Sequence, residues 1–236
     1  MRRVLILQAR TTSTRLPGKV LMDLGGTPMM RVQLARLLRC TELDEIVVAT
    51  TRNATDDPVV RLADEAGVRW FRGSEADVLS RYAGAAREAG ADLVVRSTAD
   101  CPLIEPAVVD RVVRHLADGR DRLDYASNVV RRTYPQGLDV EALFRDTLER
   151  VHRMATSAAA REHVTQFILS EHPELFRVGS VTDEADNSDL SWTVDTAEDL
   201  DRVRRLYAAL CRDGEDASYA RALRLARAGL EAGADA

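Results

Sequence analysis

The feature that most constrains this chain is an alternation of short apolar runs with segments of helical spacing, sustained from the first residues to about residue 120. Residues 4–8 and 45–51 read as buried strands, as strands of a parallel sheet are, and 68–71 and 92–96 read as a third and a fourth strand. Between them, residues 28–38, 56–66, 75–89 and 106–116 read as helices, and Gly67 and Gly90 stand where helices commonly end on a left-handed residue. Strands alternating with helices at this spacing imply βαβ crossovers and a mainly parallel sheet. In such sheets ligands bind beyond the carboxyl ends of the strands, so the loops after the first and fourth strands are where chemistry is expected.

Beyond residue 120 the alternation loosens. Residues 123–130 read as a strand, 134–139 as a loop, and 141–154 and 158–170 as helices. Residues 176–181 and 191–194 read as short strands, 196–210 as a helix capped by Thr196 with Asp199 three residues on, and 217–231 as a terminal helix. No internal repeat or low-complexity linker interrupts the 236 residues, so one compact domain over 1–236 is expected.

Composition narrows the partners. Lys and Arg total 33 against 38 Asp and Glu, a net charge of -5, which argues against a protein that grips a nucleic-acid backbone. The cysteines Cys40, Cys101 and Cys211 lie far apart with no CxxC spacing, so neither a disulfide framework nor a zinc knuckle is expected, and a cytoplasmic location fits. The apolar run after the N-terminal arginines is too short for a signal peptide, and no later run approaches a membrane span.

The loop after the first strand is the most informative segment. Residues 10–19 carry Arg10, Arg15 and Lys19, with Ser13 and Thr14 as hydroxyl donors and Gly18 allowing close backbone approach. Cations and donors gathered this way suit the oxygens of a polyphosphate. The loop lacks both GxxxxGK[ST] and GxGxxG, so it is neither a Walker loop nor a dinucleotide fingerprint. By residue type alone, a solvated basic loop reads equally well. Two aspartates sit in comparable places: Asp100 after the fourth strand, and Asp195 between a short strand and a helix. A bound polyphosphate is commonly neutralised by a divalent ion, and Mg²⁺ typically takes one or two carboxylates plus phosphate oxygens and water. Taken singly, Asp195 reads as a helix N-terminal residue and Asp100 as a turn former.

The run ARxxSTRLPGK at residues 9–19 closely resembles the signature of the cytidylyltransferase family that includes the CMP-sugar-acid synthetases for acylneuraminate and 3-deoxy-octulosonate. It is nearer still to the spore-coat-polysaccharide branch of that family. TADCPLI at 98–104 and VDTAEDL at 194–200 resemble the family's metal-binding motifs, and the matches extend from residue 4 to about 207. The chain departs from many relatives of the spore-coat branch at Thr11 and Thr12, where they read methionine-glycine. Threonine lacks glycine's backbone range.

The resemblance implies a three-layer α/β/α Rossmann-like nucleotidyltransferase fold with a mainly parallel mixed sheet. It implies an enzyme that moves CMP from CTP to a sugar or sugar-acid-like small molecule and releases pyrophosphate. Arg10 and Lys19 would bind the triphosphate with help from Ser13 and Arg15, and Asp100 and Asp195 would hold Mg²⁺. Cytosine would be read by backbone around Leu7 to Ala9. FRGSEADVLSRY at 71–82 is similar to the base-side segment, which nominates Arg72 and Ser74, although Ser74 and Asp77 serve equally as helix starters. The segment 134–141, ending in GLDVE, looks like the acceptor-side loop and nominates Tyr134, Gln136, Asp139 and Glu141, the last two to bind acceptor hydroxyls or assist the metal. Arg161 and His163, in a motif that tends to lie near the acceptor, complete the set, with His163 as a general-base candidate. Trp192 and Tyr82 read as packing residues. Relatives resembling this chain are often homodimers, and the resemblance implies that about 120–190 would be an acceptor-side and dimerisation region within the single nucleotidyltransferase domain 1–236. A GTP- or UTP-dependent sugar-1-phosphate enzyme and a non-catalytic nucleotide-binding protein remain the alternatives.

Overall fold

The computed structural model describes residues 1–212 and 217–229. The apolar runs form β1 (Arg3–Gln8), β2 (Glu45–Thr51), β3 (Arg69–Gly73) and β4 (Leu93–Thr98), all parallel, with β1 paired to β2 on one side and β4 on the other. The helices between them are α1 (Met29–Leu37), α2 (Asp57–Glu65) and α3 (Val78–Glu88), and α4 (Pro106–Asp118) follows β4. Among the described residues the sheet has seven strands in the order β3-β2-β1-β4-β6-β5-β7. Here β5 is Tyr125–Ser127, β6 is Glu141–Phe144 and β7 is Val178–Ser180; β6 runs antiparallel to both β4 and β5.

The residues of β1 alternate between two cores. Leu5 and Leu7 pack with Leu34, Val59 and Val112 of α1, α2 and α4, and with Val203 of α7 (Ala197–Leu210). Val4 and Ile6 pack with Leu79 and Tyr82 of α3 and Leu148 of α5 (Arg145–Met154). A period-two strand buried on both faces requires a helical layer on each side, and both are present. The three-layer, mainly parallel α/β fold expected from the sequence is what forms.

The differences fall after residue 120. Residues 141–154 are not one helix: Glu141–Phe144 is the strand β6, and α5 starts only at Arg145. Glu, Ala and Leu favour helices locally, but β6 is set by its partners on β5, 14 to 18 positions away, and on β4, 45 to 51 positions away. Residues 158–170 are broken. Helix α6 (Ala158–His163) ends at Val164, a β-branched residue with φ of 56°, and a π-helical turn (Phe167–Glu171) follows. Residues 191–194 make only a single bridge, Gln136 to Ser191. Strand 123–130 contracts to β5, 176–181 to β7, and helix 75–89 starts at Val78. The terminal helix is α8 (Tyr219–Arg227); residues 230 and 231 of the expected span lie outside the described residues. Among the described residues no helix is long and apolar enough to cross a membrane.

Candidate active site at the ends of β1 and β4

Strand order places the site. From β1 the chain steps to β2 and β3 on one side and later to β4 on the other, so the sheet switches direction between β1 and β4. A crevice opens at such a switch, beyond the carboxyl ends of the strands. The loop 9–19 leaves β1 there, and Ala99 and Asp100 leave β4 beside it; Ala99 N–H donates to the Gln8 carbonyl at 2.9 Å.

The basic loop is closed on itself and pinned from outside. Gly18 N–H donates to the Thr11 carbonyl at 2.8 Å, and Gly18 has φ of 73°, a conformation glycine takes without strain. Thr11 N–H and Thr11 Oγ1 both donate to Asp56 Oδ1 at 2.7 Å, while Thr12 Oγ1 donates to Glu75. The two threonines that depart from the relatives' pattern are thus the loop's anchors. Burial alone would raise the Asp56 carboxyl, but hydrogen bonds from Thr51 and Thr11 outweigh it and hold it below the usual range.

A short 3₁₀ turn (Lys19–Leu21) follows Gly18 and turns Lys19 inward. Its Nζ donates to Asp100 Oδ2 at 2.9 Å, Asp195 Oδ1 at 2.9 Å and the Val194 carbonyl at 2.8 Å, which uses all three ammonium donors. Burial would push this ammonium down; the charges and hydrogen bonds of Asp100 and Asp195 prevail and raise it. Asp100 is the mirror image: burial would raise it, and Lys19 with the Thr98 hydroxyl holds it below the ordinary value. Arg15 Nη2 adds a contact to Asp195 Oδ1 at 2.8 Å.

Asp195 does not cap the helix that follows it. That task falls to Thr196 and Asp199, whose reciprocal bonds form a capping box at the start of α7, while Asp199 Oδ2 also accepts from Asp195 N–H at 3.0 Å. The Asp195 carboxylate is left to face Lys19. Two carboxylates thus converge on one positive charge, a donor set that suits a hard divalent ion completed by phosphate oxygens and water. Among the described residues no third acidic, His or Cys ligand joins them.

Two cavities meet here. One, of about 260 Å³, is lined by Ala9, Arg10, Ser13, Thr14, Arg15 and Lys19. The other, of about 480 Å³, extends toward β6 and is lined by Arg132, Gln136, Asp139, Glu141, His163 and Thr193 among others. Arg15, Thr98, Asp100 and Asp195 line both.

Several nominated residues lie elsewhere. Leu7 is buried within the sheet, paired on both sides, and the crevice begins at Gln8 and Ala9. Arg72 turns to Asp57 and the Asn53 carbonyl, and Ser74 Oγ accepts from Asp77 N–H at 3.0 Å at the start of α3; neither lines the two cavities. Tyr134 is buried, with its hydroxyl accepting from Arg111 Nη1 at 2.9 Å. Arg161 binds Asp77 and the His152 carbonyl, tying α6 to α3. Glu141 does line the larger cavity, but it is committed: it pairs with Arg96 and accepts from Tyr125 Oη at 2.7 Å and Thr165 Oγ1 at 2.6 Å. Asp139 takes a two-pronged contact from Arg132 at 2.6 and 2.8 Å.

Sequence reasoning missed Asp56, Glu75, Arg132 and Thr165. Asp56 carried the signal of a helix start only, because its partner Thr11 is 45 residues away.

The sequence profile of the cytidylyltransferase family matches residues 4–225. The chain is 32% identical to the spore coat polysaccharide biosynthesis protein SpsF of Bacillus subtilis (strain 168), over 86% of this chain and 85% of that protein. It is 31% identical to a 3-deoxy-manno-octulosonate cytidylyltransferase of Anaeromyxobacter sp. (strain Fw109-5), over 89% of this chain and 98% of the other. Among solved structures, a cytidylyltransferase from Leptospira borgpetersenii superposes with a TM-score of 0.92 at 30% identity, covering 97% and 95% of the two chains. The phosphate-suited loop, the paired aspartates and this similarity along nearly the whole chain agree: the protein belongs to the cytidylyltransferase family.

Proposed function

We propose that the protein transfers CMP from CTP to a hydroxyl or other oxygen of a sugar or sugar-acid-like acceptor, releasing pyrophosphate. The observation that carries this reading is the sharing of Asp100, Asp195, Arg15 and Thr98 by both cavities. A transfer enzyme needs its reacting centre where donor and acceptor subsites meet, so that the two substrates lie within attack distance.

The smaller cavity takes the nucleotide. Arg10, Arg15, Ser13 and Thr14 offer cations and hydroxyls to the triphosphate, and backbone at Gln8 and Ala9 faces the nucleoside. The larger cavity takes the acceptor, with Gln136, Thr193 and His163 as the polar groups on its wall. Attack by the acceptor oxygen on the α-phosphorus, in line with the departing pyrophosphate, is served mainly by positioning and charge. Asp100 and Asp195 would hold Mg²⁺, which supplies neutralisation of phosphate charge when bound. Lys19 holds the two carboxylates in place by hydrogen bonds, and Arg15 reaches from the phosphate loop to the same point.

The test is pyrophosphate release with CTP, GTP, UTP and ATP in turn, against a panel of sugars, sugar acids and sugar phosphates, with and without Mg²⁺. CTP-selective, Mg²⁺-dependent release with one acceptor class is the expected result. Selective use of GTP or UTP with a sugar 1-phosphate would move the chain to a sister activity. Nucleotide binding without release across the panel would make it a binding protein.

A further inference from the structure

One acid in the nucleotide cavity has no task in this scheme. Glu162, on α6, lines the smaller cavity together with Arg10, Arg15 and Lys19. The other two carboxylates of that wall, Asp100 and Asp195, are held by Lys19. Glu162 is exposed and makes no hydrogen bond or ion pair among the described residues, and it does not join the two aspartates as a third metal ligand.

The helix that carries Glu162 is fixed at both ends. Ser157 opens it, its hydroxyl accepting from Ala160 N–H at 3.0 Å, and Arg161 fastens it to Asp77 and the His152 carbonyl. It stops at Val164, with φ of 56° and ψ of -61°, where Thr165 N–H donates to the His163 carbonyl at 2.5 Å. This is a γ-turn of positive φ, rare and strained for a β-branched residue, and such strain clusters at ligand sites. The turn lies where neighbouring residues divide between the cavities: Glu162 lines the nucleotide cavity, while His163 and Thr165 line the acceptor cavity. Consecutive Cα atoms are about 3.8 Å apart, so Glu162 stands near the meeting of the two cavities.

A triphosphate tail offers acceptor oxygens and negative charge, so an unpaired carboxylate repels it. The hydrogen-bond donors of CTP are its ribose hydroxyls and the amino group of its base. With the α-phosphorus at the centre that both cavities share, the ribose is the donor-bearing part attached nearest to it. A carboxylate has two acceptor oxygens to offer two vicinal hydroxyls. We propose that Glu162 is a specificity-determining residue of the nucleotide site, accepting hydrogen bonds from the 2′- and 3′-hydroxyls of the ribose and so selecting ribonucleotides over deoxyribonucleotides. This rests on the assignment of the smaller cavity to CTP.

Binding titrations of wild type, Glu162→Ala and Glu162→Gln with CTP, 2′-deoxy-CTP and 3′-deoxy-CTP test this. Wild type should bind CTP about tenfold or more tightly than the deoxy analogues, the strength of a hydrogen bond to a charged group. Glu162→Ala should lose that factor for CTP and leave the analogues as they were, so that the preference disappears. Glu162→Gln keeps one acceptor oxygen and should retain part of it. Because Glu162 is exposed, both free variants should melt as wild type does. Equal wild-type affinity for all three nucleotides, or an equal change for all three in Glu162→Ala, would overturn the proposal. If wild type binds none of them, the nucleotide assignment falls first and takes this inference with it; a preference for CTP undiminished in both variants sinks the inference alone.

Discussion

The two cavities differ in how they treat their own charges. The two arginines that line the acceptor cavity alone are each matched by a neighbouring carboxylate: Arg96 with Glu141 and Arg132 with Asp139. On the nucleotide side Arg10 has only a loose contact with Glu75 at 3.8 Å, Arg15 reaches the shared Asp195, and Ser13 and Thr14 present hydroxyls. One surface is prepared for an anion that arrives from outside. The other has its own two arginines tied up in internal pairs, so it can select a partner by shape and hydroxyl placement without attracting every anion. A donor that is always a triphosphate and an acceptor that must be discriminated call for different walls.

The comparison breaks most directly at Glu141. Replacing it with Ala leaves the half-buried Arg96 without its carboxylate, and is expected to cost about 3 kcal/mol of stability, read by urea unfolding. A loss under 1 kcal/mol would show that this wall is not held by its ion pair. At the shared centre, Asp100→Ala is expected to lower kcat about 100- to 1000-fold with little change in fold, the scale of losing one group that stabilises developing charge. Turnover near wild type would remove Asp100 from the reaction. Between the walls, Arg10→Gln should raise KM for CTP about 10- to 100-fold and leave the acceptor KM alone, as loss of a charge-assisted hydrogen bond predicts. Arg132→Gln should do the opposite, and a variant that moves both constants equally would erase the distinction.

Acid should expose the same network. The folded-state pKa of Glu141 lies below its ordinary 4.5: burial would raise it, but Arg96, Thr165 and Tyr125 outweigh the effect. Its contribution is therefore fully present above pH 4.5 and is lost as pH falls through the lower folded value. Thermal melts between neutral pH and pH 3 should decline less steeply in Glu141→Gln than in wild type. The smallest effect belongs to the cap beside Asp195, where Thr196→Ala should cost about 1 kcal/mol by chemical unfolding.

The same division decides what could be read from sequence. The parallel half was legible because β1, β2 and β4 are built on apolar runs and the helices between them carry their period locally, with Gly67 and Gly90 as stop signals. Lys19, Asp100 and Asp195 were legible as candidates, since each lies in a loop that the topology sends to one crevice. Their contact was not, because Lys19 meets Asp195 across 176 positions of sequence. The antiparallel half depends on distant pairing: Glu141–Phe144 has the local chemistry of a helix and becomes a strand only beside β4 and β5. Arg72 and Arg161 misled for a related reason. Arginine suits a ligand phosphate and an internal carboxylate equally, and here Asp57 and Asp77 hold the two side chains.

Gly137 has a consequence for how this protein can change. It has φ of 99°, and a Cβ there would fall 2.6 Å from the Trp192 carbonyl carbon and 2.7 Å from Thr193 N. The loop is stitched to that segment by Gln136 N–H to the Leu190 carbonyl at 3.0 Å and Trp192 N–H to the Gln136 carbonyl at 2.7 Å; Val194 N–H then reaches the Asp100 carbonyl at 2.9 Å. The 134–141 loop and both aspartates therefore share one backbone frame. A descendant with a new acceptor has little freedom to lengthen or re-route this loop, since that would drag the aspartates with it. Its accessible variation lies in side chains such as Gln136, Arg132 and Thr193, exchanged one at a time on a fixed frame.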